Sequence, residues 1–252
     1  MVKSSVKENQ PWASGPGEIL QHGINLLQKD TDTNRRLAML SIDNAVELMI
    51  KTYLGLPKGV NGLKISRKEF DEISESFPSL LDALEKHCGD KLEGIELPVI
   101  DWYHRLRNEL YHQGNGLTVE RNKVIVYAEI AQLLFRRLFG FDIEVDKPSS
   151  TELVGSFVTA WSNLYQLLES LAKIKFPGRD FRGTNAIVPE LTAEGLLDRQ
   201  TVERIRVLRR VRNNIVHGNM KELNEDLVRR VRDITEELQN KVEAMKSPQL
   251  RS

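Results

Sequence analysis

A six-residue pattern that occurs twice in the chain constrains its fold more than any other feature. The copies are Arg107-Asn108-Glu109-Leu110-Tyr111-His112 and Arg212-Asn213-Asn214-Ile215-Val216-His217, and both read Arg-Asn-x-x-x-His. The Arg and the His of the second copy each lie 105 positions after their counterparts in the first. Equal spacing at both positions indicates one repeated unit rather than two chance matches.

The apolar residues around the pattern repeat in the same register. Three of them stand at equivalent places in each copy: Tyr103, Leu106 and Leu110 in the first, and Leu208, Val211 and Ile215 in the second. Both sets follow the three- and four-residue spacing of an amphipathic helix. In each copy the Arg directly follows the middle apolar residue. We therefore expect both Arg side chains at the edge of a buried helix face, beside a groove.

Helical periodicity continues along the chain, and strand-like alternation is nearly absent, which predicts an all-α protein. The first half is expected to hold a short helix over 18–29, a long one over 33–54, a short one after Ser66, one from Pro78 to near Gly89, the motif helix after Pro98 and a last helix over 118–139. Ser66 with Glu69 has the spacing of a capping box. These elements amount to a bundle of about four main helices.

The second half repeats this order after a break in periodicity. The predicted helices run from the Ser149 and Glu152 capping pair to Lys175, over 191–197, over 199–216 and over 224–245, with a loop between 175 and Pro189. The sequence therefore predicts two tandem helical bundles. Their bounds are 17–140 and 151–246, joined by a linker over 141–150 and flanked by a flexible arm over 1–16 and a tail over 247–252.

The charge pattern limits how the chain can bind nucleic acid. The formal net charge is zero, so no overall field attracts a polyanion and binding has to come from local patches. Six Arg residues lie between 199 and 212, with Glu203 among them. We predict RNA phosphate contacts from this cluster, at Arg206, Arg209 and Arg210, and from Arg105 beside the first motif. The alternative is a solvated helix face whose counter-charges lie in other segments.

Several other classes of chemistry are not indicated. Cys88 is the only cysteine, which excludes a disulfide framework and fits a reducing compartment. His87-Cys88 has no second pair at ligand spacing and no Gly-rich phosphate loop is visible, so we predict neither metal nor cofactor. The N-terminus lacks the apolar core of a secretory signal, and no run reaches the roughly 18 apolar residues of a membrane span. We expect a cytoplasmic protein without a membrane partner.

Arg-Asn-x-x-x-His near the end of a bundle helix resembles the Arg-x(4–6)-His signature of the HEPN superfamily. The segments 41–50 and 208–218 are also similar to family members, and the resemblance covers most of the chain. It implies two HEPN-like domains and a metal-independent endoribonuclease whose active site is built where two such domains meet. Many relatives act in toxin–antitoxin or anti-phage systems, which implies RNA, an antitoxin or regulatory protein, and a second copy of the chain as partners. Others are non-catalytic modules that bind RNA, a nucleotide or a protein.

The resemblance also assigns roles to residues. Arg107 and His112 match the catalytic pair of one domain, and Arg212 and His217 match that of the other. Asn108 and Asn213 match the polar residue that often follows the Arg, and Asp43 and Glu47 match first-helix residues that orient it. The counterparts in the second half lie near 162–166 and are uncharged. The two copies are therefore not equivalent at the first-helix positions.

The residue types suit RNA cleavage without a metal, independently of any family. Imidazole has an ordinary pKa of about 6.5 and exchanges protons at neutral pH, whereas guanidinium keeps its charge and binds phosphate oxygens. An architectural role is the alternative, because a His near a helix C-terminus is favourable through the helix dipole alone. His104, one turn before Arg107, is expected to be an exposed helix residue, with a place in the lining of the groove as the alternative.

Overall fold

The computed structural model of the protein describes residues 10–112, 118–144, 149–179, 181 and 183–246. The regular secondary structure of these residues is helical and none of them forms a β-strand, which confirms the predicted all-α class. The described residues divide into two compact units. The first unit contains 10–92 and 97–144, and the second contains 149–246 together with the short segment 93–96.

The described part of the first unit opens with a 3-10 turn at Pro11–Ala13. Its helices are α1 (Ser14–Leu27), α2 (Asp32–Gly55), α3 (Lys58–Asn61), α4 (Arg67–Ile73), α5 (Phe77–Cys88), α6 (Leu97–His112) and α7 (Arg121–Phe139). The sequence predicts each of these except α3 within about four residues of its observed ends. α2 contacts α1, α5, α6 and α7, so it is the central helix of the unit.

Local caps explain where the helices of the first unit begin. The Thr31 hydroxyl accepts a hydrogen bond from the Asn34 backbone N–H at the start of α2. Ser66 accepts one from Glu69 N–H at 3.2 Å, which is the N-cap bond of the predicted capping box. α7 ends at Gly140, whose φ of 82° is the left-handed conformation that favours glycine.

The structure describes part of the predicted N-terminal arm but none of the predicted C-terminal tail. Residues 1–9, 145–148 and 247–252 lie outside the described residues. The prediction of a flexible arm is wrong for residues 11–16, because Ala13 and Pro16 are buried and α1 has already begun at Ser14. A Pro and two Gly residues near the start of a chain do not prevent a helix when the Pro falls within its first turn, where its missing N–H has no helical partner.

The second unit holds α8 (Ser149–Lys175), α9 (Thr184–Ala193), α10 (Arg199–Val216) and α11 (Glu225–Lys246). α8 packs against α9 and α11, and α10 contacts α9 and α11. Its core is apolar and includes Phe157, Leu164, Leu168, Ile205, Leu208, Val231 and Leu238. The observed bounds of α10 are those predicted from its periodicity.

α9 is the one helix of the second unit that the sequence misplaces. A short helix was expected over 191–197, after a loop that reached Pro189. The observed helix runs instead from Thr184 through Pro189, and Leu196 and Leu197 only fold back onto the Leu191 carbonyl oxygen. Burial of Ile187 and Leu191 offsets the backbone hydrogen bond that proline cannot make, so tertiary packing overrides the local signal.

Candidate functional site

The first motif Arg lies at the edge of the buried face of α6. Its side chain is 17% exposed, and its Nε lies 2.8 Å from Asp43 Oδ2 in an ion pair that lacks the alignment of a hydrogen bond. Arg107 Nη2 also lies 3.7 Å from Glu47 Oε2. Asp43 and Glu47 are one turn apart on α2, so the carboxylates that the resemblance assigns to this Arg do contact it.

Two amide side chains complete the contacts of the Arg107 guanidinium. Nη1 donates to Asn108 Oδ1 at 2.8 Å, and Nη2 donates to Asn44 Oδ1 at 2.9 Å. Because guanidinium is planar and its donors form a fixed fork, contacts at three nitrogens fix its plane as well as its position. The side chain is therefore held in one orientation before any ligand binds.

Asp43 is the centre of this arrangement. Its side chain is 0% exposed, and it accepts a hydrogen bond from the Tyr127 hydroxyl at 2.7 Å while Arg107 lies against its other oxygen. Burial, and then the Asp43 charge, raise the pKa of Tyr127 well above its usual value. The phenol therefore stays protonated and donates to the carboxylate. A buried carboxylate needs such partners because an unpaired charge in a core is costly.

His104 also contacts Asp43, contrary to the expectation of an exposed helix residue. Its Nδ1 lies 3.0 Å from Asp43 Oδ2, and its side chain is 12% exposed. The ring stacks on Phe77, with centroids 3.8 Å apart. The three-residue spacing between His104 and Arg107 was the available signal, because residues three apart share a helix face.

The remaining predicted residues of the first copy lie elsewhere on α6. His112 is the last residue of the helix, and its side chain lies outside the described residues. Arg105, a predicted RNA contact, is two-thirds exposed and pairs with Asp101 at 3.0 Å. Such an exposed pair is weak, so Arg105 stays available to a phosphate.

The second motif Arg is held in a similar way by different residues. Arg212 is 12% exposed, and its Nη2 forms an ion pair with Glu96 Oε2. Its Nη1 donates to Asn213 Oδ1 at 3.1 Å, as Arg107 Nη1 does to Asn108, and its guanidinium lies 5.9 Å from the centre of the Trp161 ring. Burial lowers the pKa of Arg212 to about 10, which still leaves it charged at neutral pH.

Glu96 is the residue that sequence reasoning missed. Ser162 and Gln166, the α8 counterparts of Asp43 and Glu47, are uncharged, so the difference between the copies predicted from the sequence holds at these positions. The carboxylate beside Arg212 comes instead from segment 93–96. Nothing local in the sequence connects Glu96 with Arg212, so only the tertiary fold reveals the pair.

His217 directly follows α10 and is exposed. Its backbone N–H bonds to the Asn213 carbonyl oxygen at 3.1 Å, and Gly218 next to it has a φ of 90°, so the helix ends here. At about 100° per residue, His217 and Arg212 lie about 140° apart around the helix. One motif copy therefore does not direct its Arg and its His towards the same point.

His217 belongs to a row of exposed residues along α10, which we call the basic face. Its members follow one another at three- and four-residue spacing, and one of them is acidic: Arg199, Glu203, Arg206, Arg210, Asn213 and His217. Arg206 pairs with Glu203 at 3.3 Å, whereas Arg210 has no ion pair among the described residues. Arg209 is half-buried and lies beside this row. Of the three cations predicted here to bind RNA, Arg206 and Arg210 are thus on the basic face.

The described part of the chain offers few groups for metal binding or thiol chemistry. No cluster of three or more His, Cys, Asp or Glu side chains there has the arrangement of a metal site. Cys88 is buried, and burial raises its pKa to about 12, so its thiol is protonated at neutral pH. None of the described helices combines the length and the apolar composition that a membrane span requires.

No protein-family model matches the chain, and neither does any curated protein or solved structure. The HEPN-like assignment therefore depends on the motif residues and stays a prediction. The structural observation that bears on function is the geometry of the motif. In both copies the Arg is paired with a carboxylate and donates a hydrogen bond to the Asn that follows it.

Proposed function

We propose that this protein is a metal-independent endoribonuclease to which both motif copies contribute. One observation carries the proposal, namely the repeated contact geometry of the motif. In both copies the Arg Nη1 donates to the adjacent Asn Oδ1 while another nitrogen of the same guanidinium pairs with a carboxylate. Two positively charged groups oriented in advance are what stabilisation of a phosphorane-like transition state requires.

The proposed reaction needs only groups of this chain and an RNA strand. A base removes the proton of a ribose 2′-hydroxyl, the resulting oxygen attacks the adjacent phosphorus, and the 5′-oxygen leaves with a proton from an acid. The products are a 2′,3′-cyclic phosphate and a 5′-hydroxyl. His217 and His112 are the proposed acid and base, since such proton transfers contribute about 10²–10⁴-fold. Arg107 and Arg212 stabilise the charge on the phosphate.

The basic face of α10 supports RNA as the substrate. Arg206 and Arg210 are four residues apart, about 6 Å along the helix axis, and His217 follows about 10 Å beyond Arg210. Cations at such intervals can contact successive phosphates of one strand, and they end at the proposed proton-transfer residue. A defence or toxin–antitoxin setting, with an antitoxin or regulatory partner, belongs to the same proposal and comes from the HEPN-like resemblance.

A non-catalytic RNA-binding module is the second candidate, and a specific observation favours it. Arg107 and Arg212 are mostly buried and already paired with carboxylates, as structural arginines are. In that case the motif supports the helices, and only the exposed cations of the basic face meet RNA.

The deciding experiment is cleavage of a mixed-sequence RNA oligonucleotide in the presence of EDTA. We expect the wild type to cut, and His217→Ala and His112→Ala each to lower the rate by about 10²-fold or more. Loss with only one of these variants would show that the copies have diverged. His22→Ala is the matched control, because His22 is an exposed helix residue of α1 outside both motifs.

Product ends test the mechanism separately from the rate. Cyclic phosphate and 5′-hydroxyl ends support the proposal, whereas 5′-phosphate ends or loss of activity with EDTA contradict it. RNA that is bound but not cut by the wild type would instead support the second candidate. Binding weakened by Arg210→Ala, with a salt dependence reduced by about one ion, would place that RNA on the basic face.

A further inference from the structure

We propose that Glu96 is the positioning residue of the second motif and holds the Arg212 guanidinium in the role that Asp43 has for Arg107. For its catalytic consequence this inference rests on the proposed ribonuclease function. Glu96 is not expected to touch RNA. It acts through Arg212, so its effect should disappear when Arg212 is absent.

The surroundings of Arg212 make Glu96 its counter-charge. α8 places the Trp161 ring beside the guanidinium, and Ser162, one residue further, is buried and uncharged. Among the described residues, the carboxylate that forms an ion pair with Arg212 is that of Glu96. Both side chains are shielded, at 12% and 14% exposure, so the pair is protected from screening by solvent.

Segment 93–96 is fixed to the second unit by contacts at each of its residues before Glu96. Glu93 accepts hydrogen bonds from Gln166 at 3.1 Å and from Lys173 at 2.6 Å. The Gly94 N–H donates to Glu169 Oε2 at 3.1 Å, and Ile95 is buried. The carboxylate of Glu96 is therefore presented by a backbone with little freedom of its own.

Gly94 shows how close this approach is. Its φ is +80°, and a Cβ added there would lie 2.3 Å from the Ser162 carbonyl oxygen. Only glycine allows the segment to lie directly against the α8 backbone in this conformation. Ser162 and Gln166 occupy the spacing that Asp43 and Glu47 have on α2, so the segment supplies a carboxylate where the helix itself has none.

The expected consequence of the Glu96 contact is a fixed orientation of the Arg212 guanidinium. With Nη2 on Glu96 and Nη1 on Asn213, the plane of the guanidinium is fixed. Loss of the carboxylate frees the plane, and a displacement of about 1 Å in a catalytic group costs up to about 10²-fold in rate.

The test uses the full chain with Glu96→Gln, and Glu237→Gln as the matched control, because Glu237 also pairs with an α10 arginine, Arg204, but on an exposed surface outside the motif. We expect Glu96→Gln to lower kcat about 10- to 100-fold with KM unchanged, and Glu237→Gln to stay within about twofold of wild type. Glu96→Asp keeps the charge and should recover part of the rate. In an Arg212→Ala background, Glu96→Gln should have almost no further effect, because coupled residues are not additive.

A readout without RNA separates this inference from the proposed function. In nitrogen-15 NMR of the arginine side chains, Arg212 should show slow guanidinium rotation in wild type and Glu237→Gln but fast rotation in Glu96→Gln. If the wild type does not cleave RNA yet this change is seen, the ribonuclease proposal fails and the positioning by Glu96 stands. Equal rotation in all three proteins, or equal kcat in the two Gln variants, would overturn the inference. Should Glu96→Gln not fold, Glu96→Asp is compared with Glu237→Asp in the same two measurements.

Discussion

The two motif arginines have similar contacts but obtain them from different parts of the chain. Arg107 pairs with Asp43, which belongs to the central helix of the same unit and is fully buried. Arg212 pairs with Glu96, which belongs to a four-residue segment that precedes α6 in sequence yet lies in the second unit. Both use the following Asn as a further acceptor.

This difference indicates what the motif requires. The constant features are a shielded guanidinium, one carboxylate and one amide oxygen, and not a carboxylate at a given helix position. A partly buried Arg without a counter-charge is unfavourable, so any segment that brings a carboxylate to it is strongly stabilised there. The first unit meets the requirement with its core, whereas the second meets it with a backbone segment.

The largest effect is expected from Asp43→Ala. It leaves Arg107, His104 and the Tyr127 hydroxyl without their shared acceptor, and removal of one partner from a buried ion pair costs about 3–5 kcal/mol of unfolding free energy. Urea denaturation followed by circular dichroism measures the change. Asp101→Ala is the control, because its pair with Arg105 is exposed and worth at most about 1 kcal/mol. Equal losses in the two variants would show that Asp43 does not organise the first unit.

A smaller effect is expected when the approach of the segment to α8 is blocked. Gly94→Ala adds a Cβ that would meet the Ser162 backbone, and it places a side chain at a φ of +80°. Left-handed strain of about 1–2 kcal/mol and displacement of the neighbouring atoms by about 1–3 kcal/mol both act there.

Gly62→Ala separates the two causes. Gly62 has a φ of +78° but nothing within 4 Å of its added Cβ, so only the strain applies. We expect Gly94→Ala to lose clearly more unfolding free energy than Gly62→Ala in urea denaturation. Similar losses would mean that the segment moves away from α8 without cost, which would weaken the contrast between the two arginines.

The smallest effect concerns pH. Burial raises the pKa of Glu169 above its ordinary 4.5, against the lowering influence of the Gly94 N–H, Tyr165 and Lys173. Because the folded-state pKa is the higher one, the stabilisation from this group is complete below 4.5 and is lost as pH rises through the folded-state pKa. Glu169→Gln does not titrate, so its stability relative to wild type should increase as pH rises above 4.5. Parallel stability curves in urea denaturation across that range would show that Glu169 is solvated normally.

Much of the fold follows from local signals in the sequence. α2 and α10 have strong three- and four-residue periodicity. α10 is preceded by its N-cap residue Asp198, whose carboxylate accepts a hydrogen bond from Thr201 N–H at 2.8 Å. These signals involve residues close together in sequence, so they can be detected without the tertiary structure. α9 could not be predicted in this way, because its proline indicates a break and the burial that offsets the proline depends on other helices.

Some features of the candidate site could likewise be predicted from local sequence, whereas others depend on the tertiary fold. The positions of Arg107 and Arg212 beside buried faces follow from the register of the apolar residues around them. The contact of His104 with Asp43 depends on how α6 packs on α2, and the pairing of Glu96 with Arg212 depends on where a loop of the first half lies in the fold. Contacts between residues far apart in sequence leave no local pattern to detect.

The pairing of Glu96 with Arg212 couples the evolution of the two halves of the gene. A recombination event that exchanges everything after residue 148 replaces α8 to α11 but leaves Glu96 with the old first half. Each new second half then meets a carboxylate selected for a different arginine. The two halves of this gene are therefore expected to descend together, and a substitution at position 96 would be compensated by changes more than a hundred codons downstream.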